Sequence, residues 1–170
     1  MRLYALDAGE CYVRDEHGAE HELSGEYLRL FAYVPQGNVL LSGTVRHLLS
    51  FGDEFREQND ELLWEALRLA CADAFVRGLP QGLNTILGES GAGLSEGQMQ
   101  RLSIARALVS GRPVLLLDEC TSALDGPTEE QILKNLRALP GKTVLVVTHR
   151  PAALALCDRE LRFSHEGEQA

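Results

Sequence analysis

The stretch Val114-Leu115-Leu116-Leu117-Asp118-Glu119 decides the fold. An unbroken apolar run has the pattern of a strand buried on both faces, and here it ends in two acids. Downstream, Gly126-Pro127-Thr128-Glu129-Glu130 has the chemistry of a helix start. Proline near the first position gives up an N–H that would have no intrahelical partner, and acids in the first turn face the positive end of the helix dipole. Ile132, Leu133, Leu136 and Leu139 form the apolar face of that helix, and Pro140-Gly141 ends it. A second buried strand follows over 143–147. Strand, helix and strand in this order predict a parallel pair and an α/β core.

Further upstream, Asp60 is placed to cap a helix with the apolar stripe Leu63, Leu67, Ala70 and Ala74, which Gly78, Pro80 and Gly82 terminate. Residues 88–93 form a glycine-rich loop, and a further helix runs from about 98 to 109. The first third is β-rich, with short strands at 10–13 and 31–34 and a turn-like stretch at 15–18 between them. No internal repeat or low-complexity linker interrupts the chain.

A length of 170 residues suits one compact domain with room for two lobes. The net charge of −9 argues against a nucleic-acid partner, which needs clustered Lys and Arg. No apolar run approaches the roughly 18 residues needed to cross a bilayer. The opening Met1-Arg2-Leu3-Tyr4-Ala5-Leu6-Asp7 has no long apolar stretch before its first acid, unlike a secretory signal. Cys11, Cys71, Cys120 and Cys157 form no CxxC pair and read as reduced thiols of a cytosolic protein.

The most informative chemistry lies in Leu94-Ser95-Glu96-Gly97-Gln98. Ser95 and Gln98 have capping-box spacing at a helix start. Free N–H groups there, with the helix dipole, make an anion site, and Gly97 permits close approach of a ligand. A well-capped helix with no ligand is the plainer reading. The acids at the end of 114–117 fall at the carboxyl edge of the sheet, where α/β proteins bind ligands. Asp118 suits a Mg²⁺ site through water, and Glu119 suits a general base for an attacking water. His149 lies just past the second buried strand, on the same edge.

Together these segments resemble the ATP-binding cassette (ABC) ATPase family over nearly the whole chain. Leu94 to Gln98 resembles the family signature, Val114 to Glu119 the Walker B strand, Ser122-Ala123-Leu124-Asp125 the D-loop, and His149 the switch histidine. Tyr33-Val34-Pro35-Gln36 resembles the Q-loop, with Gln36 as a metal and water contact. Ser42-Gly43-Thr44-Val45-Arg46, Leu87-Gly88-Glu89, Thr121 to Asp125 and Thr148-His149-Arg150 resemble the exporter branch, in which the segment around Glu89 is associated with coupling to membrane-domain loops.

The resemblance implies a P-loop NTPase-like (RecA-like) α/β fold with a parallel sheet core and an α-helical signature subdomain. The core lobe would comprise 1–41 and about 111–170, and the helical lobe about 42–110. It further implies ATP and Mg²⁺ as ligands, a second nucleotide-binding domain docked head to tail, and a transmembrane-domain partner. The chain would lie peripherally on the cytoplasmic side of a membrane. Glu119 and His149 would be catalytic; Ser95, Glu96, Gly97, Gln98 and Asp125 would contact nucleotide; Gln36 and Asp118 would serve the metal. Glu96 stands where the family often has glycine, a variation that exporters tolerate.

The P-loop pattern G-x-x-x-x-G-K-[ST] is missing from these residues. Gly141-Lys142-Thr143 mimics its end, but Leu136 stands where the first glycine belongs, and a helix precedes it. Leu3-Tyr4-Ala5-Leu6-Asp7-Ala8-Gly9-Glu10 resembles the segment just after the Walker helix, so the expectation is a domain incomplete at its N-terminus. The expected consequences are weak or no ATP binding by the isolated chain, which could still offer its signature face to a partner's P-loop, and exposed strand edges that favour marginal stability or association.

Two other readings compete. Gly93-Leu94-Ser95-Glu96-Gly97 fits the G-x-S-x-G nucleophile elbow, with Asp118 or Asp125 and then His149 completing a hydrolase order, but a loop stands where the elbow needs a strand. A non-catalytic remnant or interaction module is the third reading. His17 and His21, four apart, are read as solvated because Gly18 between them favours a turn. Trp64 is read as a packing residue, and Arg101 and Arg106 as serving helix packing or charge pairing.

Overall fold

The computed structural model describes residues 9–14, 17–22, 25–37, 42–88 and 93–162. The chain opens with a hairpin of β1 (Tyr12–Arg14) and β2 (Glu20–Glu22), antiparallel with Val13 opposite His21. The first strand thus begins two positions after the expected 10–13. A 3₁₀ turn at Gly25–Leu30 leads into β3 (Phe31–Val34), at the bounds expected. Then come β4 (Gly43–Thr44), α1 (Val45–Ser50), α2 (Glu54–Glu57), α3 (Asp60–Leu69), α4 (Asp73–Arg77), β5 (Ile86–Leu87), α5 (Glu96–Val109), β6 (Val114–Asp118), α6 (Gly126–Arg137), β7 (Thr143–Val147) and α7 (Pro151–Leu154).

The mixed α/β architecture is the expected one, with strand order β3-β6-β7 in a parallel sheet. Register pairs Val34 with Leu117, and Leu117 with Val146. The strands therefore end together, and the residues just past them, Pro35-Gln36, Glu119 and Thr148-His149, share one edge. Crossovers of helical chain join these strands, as parallel pairing requires.

Helix α3 differs from the sequence reading at both ends. Its cap is Asn59, whose side chain accepts from the Leu62 N–H at 3.0 Å; Asp60 lies in the first turn and pairs with Arg46 at 2.7 Å. Cys71 takes a left-handed φ of 53°, which breaks the helix and places Ala74 on the separate α4. Helix α5 starts at Glu96, two residues before the expected 98. Its capping box is complete: Ser95 Oγ accepts from Gln98 N–H at 3.2 Å, and Gln98 Oε1 accepts from Ser95 N–H at 2.9 Å. Helix α6 follows its reading, capped by Asp125 and burying Ile132, Leu133 and Leu136.

The expectation that β6 and β7 are buried on both faces needs correction. Ala32, Val34, Leu115 and Leu117 are buried on one face, against which α5 packs. On the other face Tyr33, Leu116 and Leu145 stand side by side, and Leu145 and Val147 are 43 % and 50 % exposed. Strand apolarity marks both faces as fit for burial, but among the described residues only one has its covering helix.

Asp15 and Glu16 of the 15–18 turn, residues 89–92 of the glycine-rich loop including Glu89, and residues 1–8 lie outside the described residues. No helix among those described is long and apolar enough to cross a membrane. All four cysteines are free thiols.

Candidate functional site

The common strand edge carries a polar cluster centred on Glu119. Gln36, just past β3, donates from Nε2 to Glu119 Oε2 at 2.7 Å. His149, just past β7, has Nδ1 at 3.3 Å from Glu119 Oε1, so the tautomer protonated at Nδ1 donates to the same carboxylate. The Glu119 N–H donates to Val147 O at 3.0 Å, which extends the β6–β7 pairing past Asp118 and brings the His149 segment alongside. Glu119 itself adopts a left-handed φ of 46°. A non-glycine residue held there stores about 1–3 kcal/mol of strain, and such outliers cluster at functional sites.

Asp118, the last residue of β6, accepts at Oδ2 from the Tyr33 hydroxyl at 2.9 Å. That hydrogen bond, then desolvation, then the carboxylate's charge hold the Tyr33 phenol above its ordinary pKa. Among the described residues no group of three His, Cys, Asp or Glu side chains forms a metal cage. The donor set instead fits a Mg²⁺ that keeps its waters and rests on one carboxylate beside phosphate oxygens.

A second cluster surrounds the start of α5. A cleft of about 390 Å³ has Ser95, Glu96, Gly97 and Arg101 on one wall and Ala123, Leu124, Asp125 and Thr128 on the other. None of Gln36, Asp118, Glu119 or His149 lines it. The helix start thus faces the 122–128 loop, apart from Asp118, Glu119 and His149, and the polar sites described are two. A Cβ placed on Gly97 would stand 3.0 Å from the Ala123 carbonyl oxygen, so the close approach of helix and loop depends on this glycine. Asp125 caps α6 by accepting from Thr128 N–H and Thr128 Oγ1, each at 2.9 Å, and these two bonds hold its carboxyl below the usual aspartate range.

Further side chains tie these clusters together; of them Arg101 serves helix packing, as expected, and the contacts of Gln100 were not foreseen. Gln100, 2 % exposed, donates to Ser122 Oγ at 3.1 Å and accepts from Ala123 N–H at 3.1 Å, tying α5 to the loop. Its signal was a buried-face position occupied by an amide. Arg101 donates to Cys71 O at 2.7 Å and stacks over Phe75, which anchors the start of α5 to the α3–α4 break. Buried Thr121 and Glu129 form a group with half-buried Arg150, and Arg150 lies too far from them in sequence to be paired by pattern.

Ser95 Oγ serves as a helix cap while His149 faces Glu119, so no nucleophile elbow forms. His17 lies in a turn and His21 on β2, not on a shared helix face. Trp64 packs partly buried under the Arg77 guanidinium, 4.0 Å from the ring centre. Lys142 of the false P-loop match donates to Gly111 O and Arg112 O at 2.8 and 2.6 Å.

A parallel α/β sheet with polar residues at its carboxyl edge is consistent with the P-loop NTPase class. The family model of ABC transporters matches residues 1–122. An ATP-dependent lipid A-core flippase of Dechloromonas aromatica (strain RCB) is 39 % identical over 169 residues, covering 99 % of this chain and 28 % of the flippase. A multidrug resistance ABC transporter ATP-binding and permease protein of Lactococcus lactis subsp. lactis (strain IL1403) is 36 % identical over 168 residues, covering 98 % of this chain and 28 % of that protein. A solved structure of a bacterial Atm1-family ABC exporter with ATP bound superposes with a TM-score of 0.72 at 34 % identity, over 82 % of this chain and 24 % of the exporter. The chain belongs to the ABC transporter family, on its ATP-binding side and with exporters as its relatives. It spans little more than a quarter of the length of these curated relatives, 28 % in both cases.

Proposed function

We propose that these residues form the signature-bearing part of an exporter's nucleotide-binding domain, in which ATP hydrolysis drives movement of a transmembrane partner on the cytoplasmic side of a membrane. The observation that carries the reading is the convergence of Gln36, Glu119 and His149, each from just past a different parallel strand, on a single carboxylate. Glu119 is the general base that orients and deprotonates the attacking water; Gln36 and His149 fix the position of its carboxylate, whose side chain is 30 % exposed at the strand edge. His149 meets the Glu119 carboxylate and would contact the terminal phosphate. Asp118, with Gln36 near it, would hold Mg²⁺ through water, and the ion would neutralise phosphate charge.

The second cluster serves another nucleotide. The N–H groups of Glu96 and Gly97, which lie outside the Ser95–Gln98 capping box, face the phosphates of a nucleotide bound chiefly by a second cassette, with Asp125 across the cleft. Each composite site then needs two polypeptides. The 170 residues contain no P-loop pattern, so phosphate binding at Glu119 depends on residues outside them. The isolated chain is accordingly inactive as an ATPase.

Two measurements test this. Titration of the 170-residue chain with labelled ATP and Mg²⁺ gives no saturation in the micromolar range; micromolar affinity would overturn the claim that phosphate binding depends on residues outside it. A chimera that places the P-loop segment of a matched exporter before this chain hydrolyses ATP, and Glu119→Gln lowers its turnover about 10²–10⁴-fold. Full turnover in that variant removes Glu119 from the reaction.

A further inference from the structure

Glu129 is 2 % exposed yet carries a carboxylate, and nothing in the proposed chemistry uses it. A buried charge persists only where partners compensate its desolvation. Its partners are specific. Glu129 Oε1 accepts from Thr121 Oγ1 at 2.6 Å, and Oε2 lies 3.0 Å from Arg150 Nη1. The same Arg150 nitrogen donates to the main-chain carbonyls of Thr121 at 3.0 Å and Leu124 at 3.3 Å. Arg150 is thus the centre of a clamp that holds both ends of the 121–124 turn.

The position of Arg150 gives the clamp its meaning. It is bonded directly to His149, and its own N–H donates to Thr148 Oγ1 at 3.1 Å. On one side of it lies His149 against Glu119. On the other lies the turn whose Ala123, Leu124 and Asp125 form a wall of the signature cleft. The turn is further tied by Ser122 N–H to Glu119 O at 3.3 Å and by Gln100 to Ser122 and Ala123. Arg150 is therefore the side-chain link by which the segment past β7 grips the loop past β6.

We propose that Arg150, neutralised by buried Glu129, is a positioning residue that makes the His149 segment and the 121–125 loop move as one body, so that the state of the Glu119 cluster sets the shape of the signature cleft. The inference rests on the function proposed above for its meaning in catalysis, but the mechanical link stands on the geometry alone. Lysine at 150 keeps the charge, but its ammonium ends one bond short of the position of Nη1 on a flexible stem, so it holds these three acceptors less firmly.

The test separates the link from the function. Replacing both partners by apolar residues, Arg150→Met with Glu129→Leu, keeps the fold, since removing the two charges together leaves no unpaired charge beside the core. Hydrogen exchange on the 170-residue chain then shows amides at 122–125 and 148–149 opening about tenfold faster or more, while α3 and α5 exchange as in the parent. Arg150→Lys gives an intermediate rate. Unchanged exchange at 122–125 in a double variant that melts like the parent overturns the link. Should the double variant fail to fold, Arg150→Lys decides the question by the same readout. In the P-loop chimera, Arg150→Lys lowers kcat about tenfold with KM for ATP held; unchanged kcat overturns the coupling. A chimera inactive even with Arg150 in place would count against the proposed function and leave the exchange result standing.

Discussion

Gln36 and Glu119 meet across 83 positions of sequence, the amide of one donating to the carboxylate of the other at 2.7 Å. The contact exists because β3 and β6 run parallel with Val34 opposite Leu117, so both side chains leave the sheet at one edge. It leaves Glu119 with one oxygen toward Gln36 and the other toward His149. Gln36→Ala frees one side of that carboxylate. In the P-loop chimera, steady-state kinetics are expected to show turnover reduced about 10–100-fold through misplacement of the base. Turnover equal to the parent's would show that His149 suffices to orient Glu119.

Gly97 meets the Ala123 carbonyl oxygen so closely that a side chain must move one of them. Gly97→Ala puts a Cβ 3.0 Å from that backbone atom, and neither the helix start nor the doubly tied loop yields easily. Gly97→Ala should destabilise the chain by about 1–3 kcal/mol, as overpacking does. Urea unfolding followed by circular dichroism measures it; an unchanged midpoint would mean that the loop gives way.

Asp125 carries an acid-side contribution to stability. Its carboxyl is held below the ordinary aspartate value of 3.8, first by the Thr128 N–H and then by the Thr128 hydroxyl. A folded-state value lower than the unfolded one gives stability that is complete above 3.8 and is lost as pH falls through the folded value. Asparagine at this position keeps the helix cap without titrating. The stability advantage of the parent over Asp125→Asn, read from urea midpoints at a series of pH values, should therefore shrink only on the acid side of 3.8.

Cys120 follows Glu119 and is buried, and desolvation pushes its thiol up to about 12. A thiolate is the reactive form, so this residue is inert near neutral pH. Iodoacetamide at pH 8 should leave Cys120 unlabelled in the folded chain and modify it once urea is added, as peptide mass mapping would show. Rapid labelling of the native protein would mean that the 119–121 turn opens.

Among the described residues one apolar face of β7 has no cover, with Leu145 and Val147 43 % and 50 % exposed, and the strand pairs only with β6. Such an edge invites pairing with another copy. Light scattering on the 170-residue chain should report association that rises with concentration, and Leu145→Lys should reduce it by placing a charge on that face. A monomer at all concentrations would refute this.

What could be read without coordinates was local. The bounds of β3 and the capping box at Ser95 and Gln98 depend on residues within a few positions of one another, and the structure follows them. So does the start of α6, where Asp125, Pro127 and the acids of the first turn act on the nearest backbone groups. The motif spacing that marks the family is likewise a property of the string. The cap of α3 was misjudged by one residue because adjacent Asn59 and Asp60 are both good caps, and packing of Asp60 against Arg46 chooses between them.

The sequence by itself determined the bounds of β3, the capping box of α5, the start of α6 and which family's motifs they carry. Short-range capping, periodicity and proline chemistry do not depend on the rest of the chain. Only tertiary structure decided that Gln36 and His149 converge on Glu119, and that the signature helix faces the 122–128 loop rather than the acids. The same holds for the way Arg150 closes on Glu129 and for the face of β7 that lies open. These follow from strand register and from which helix covers which face, and both are set by burial summed over the whole sheet.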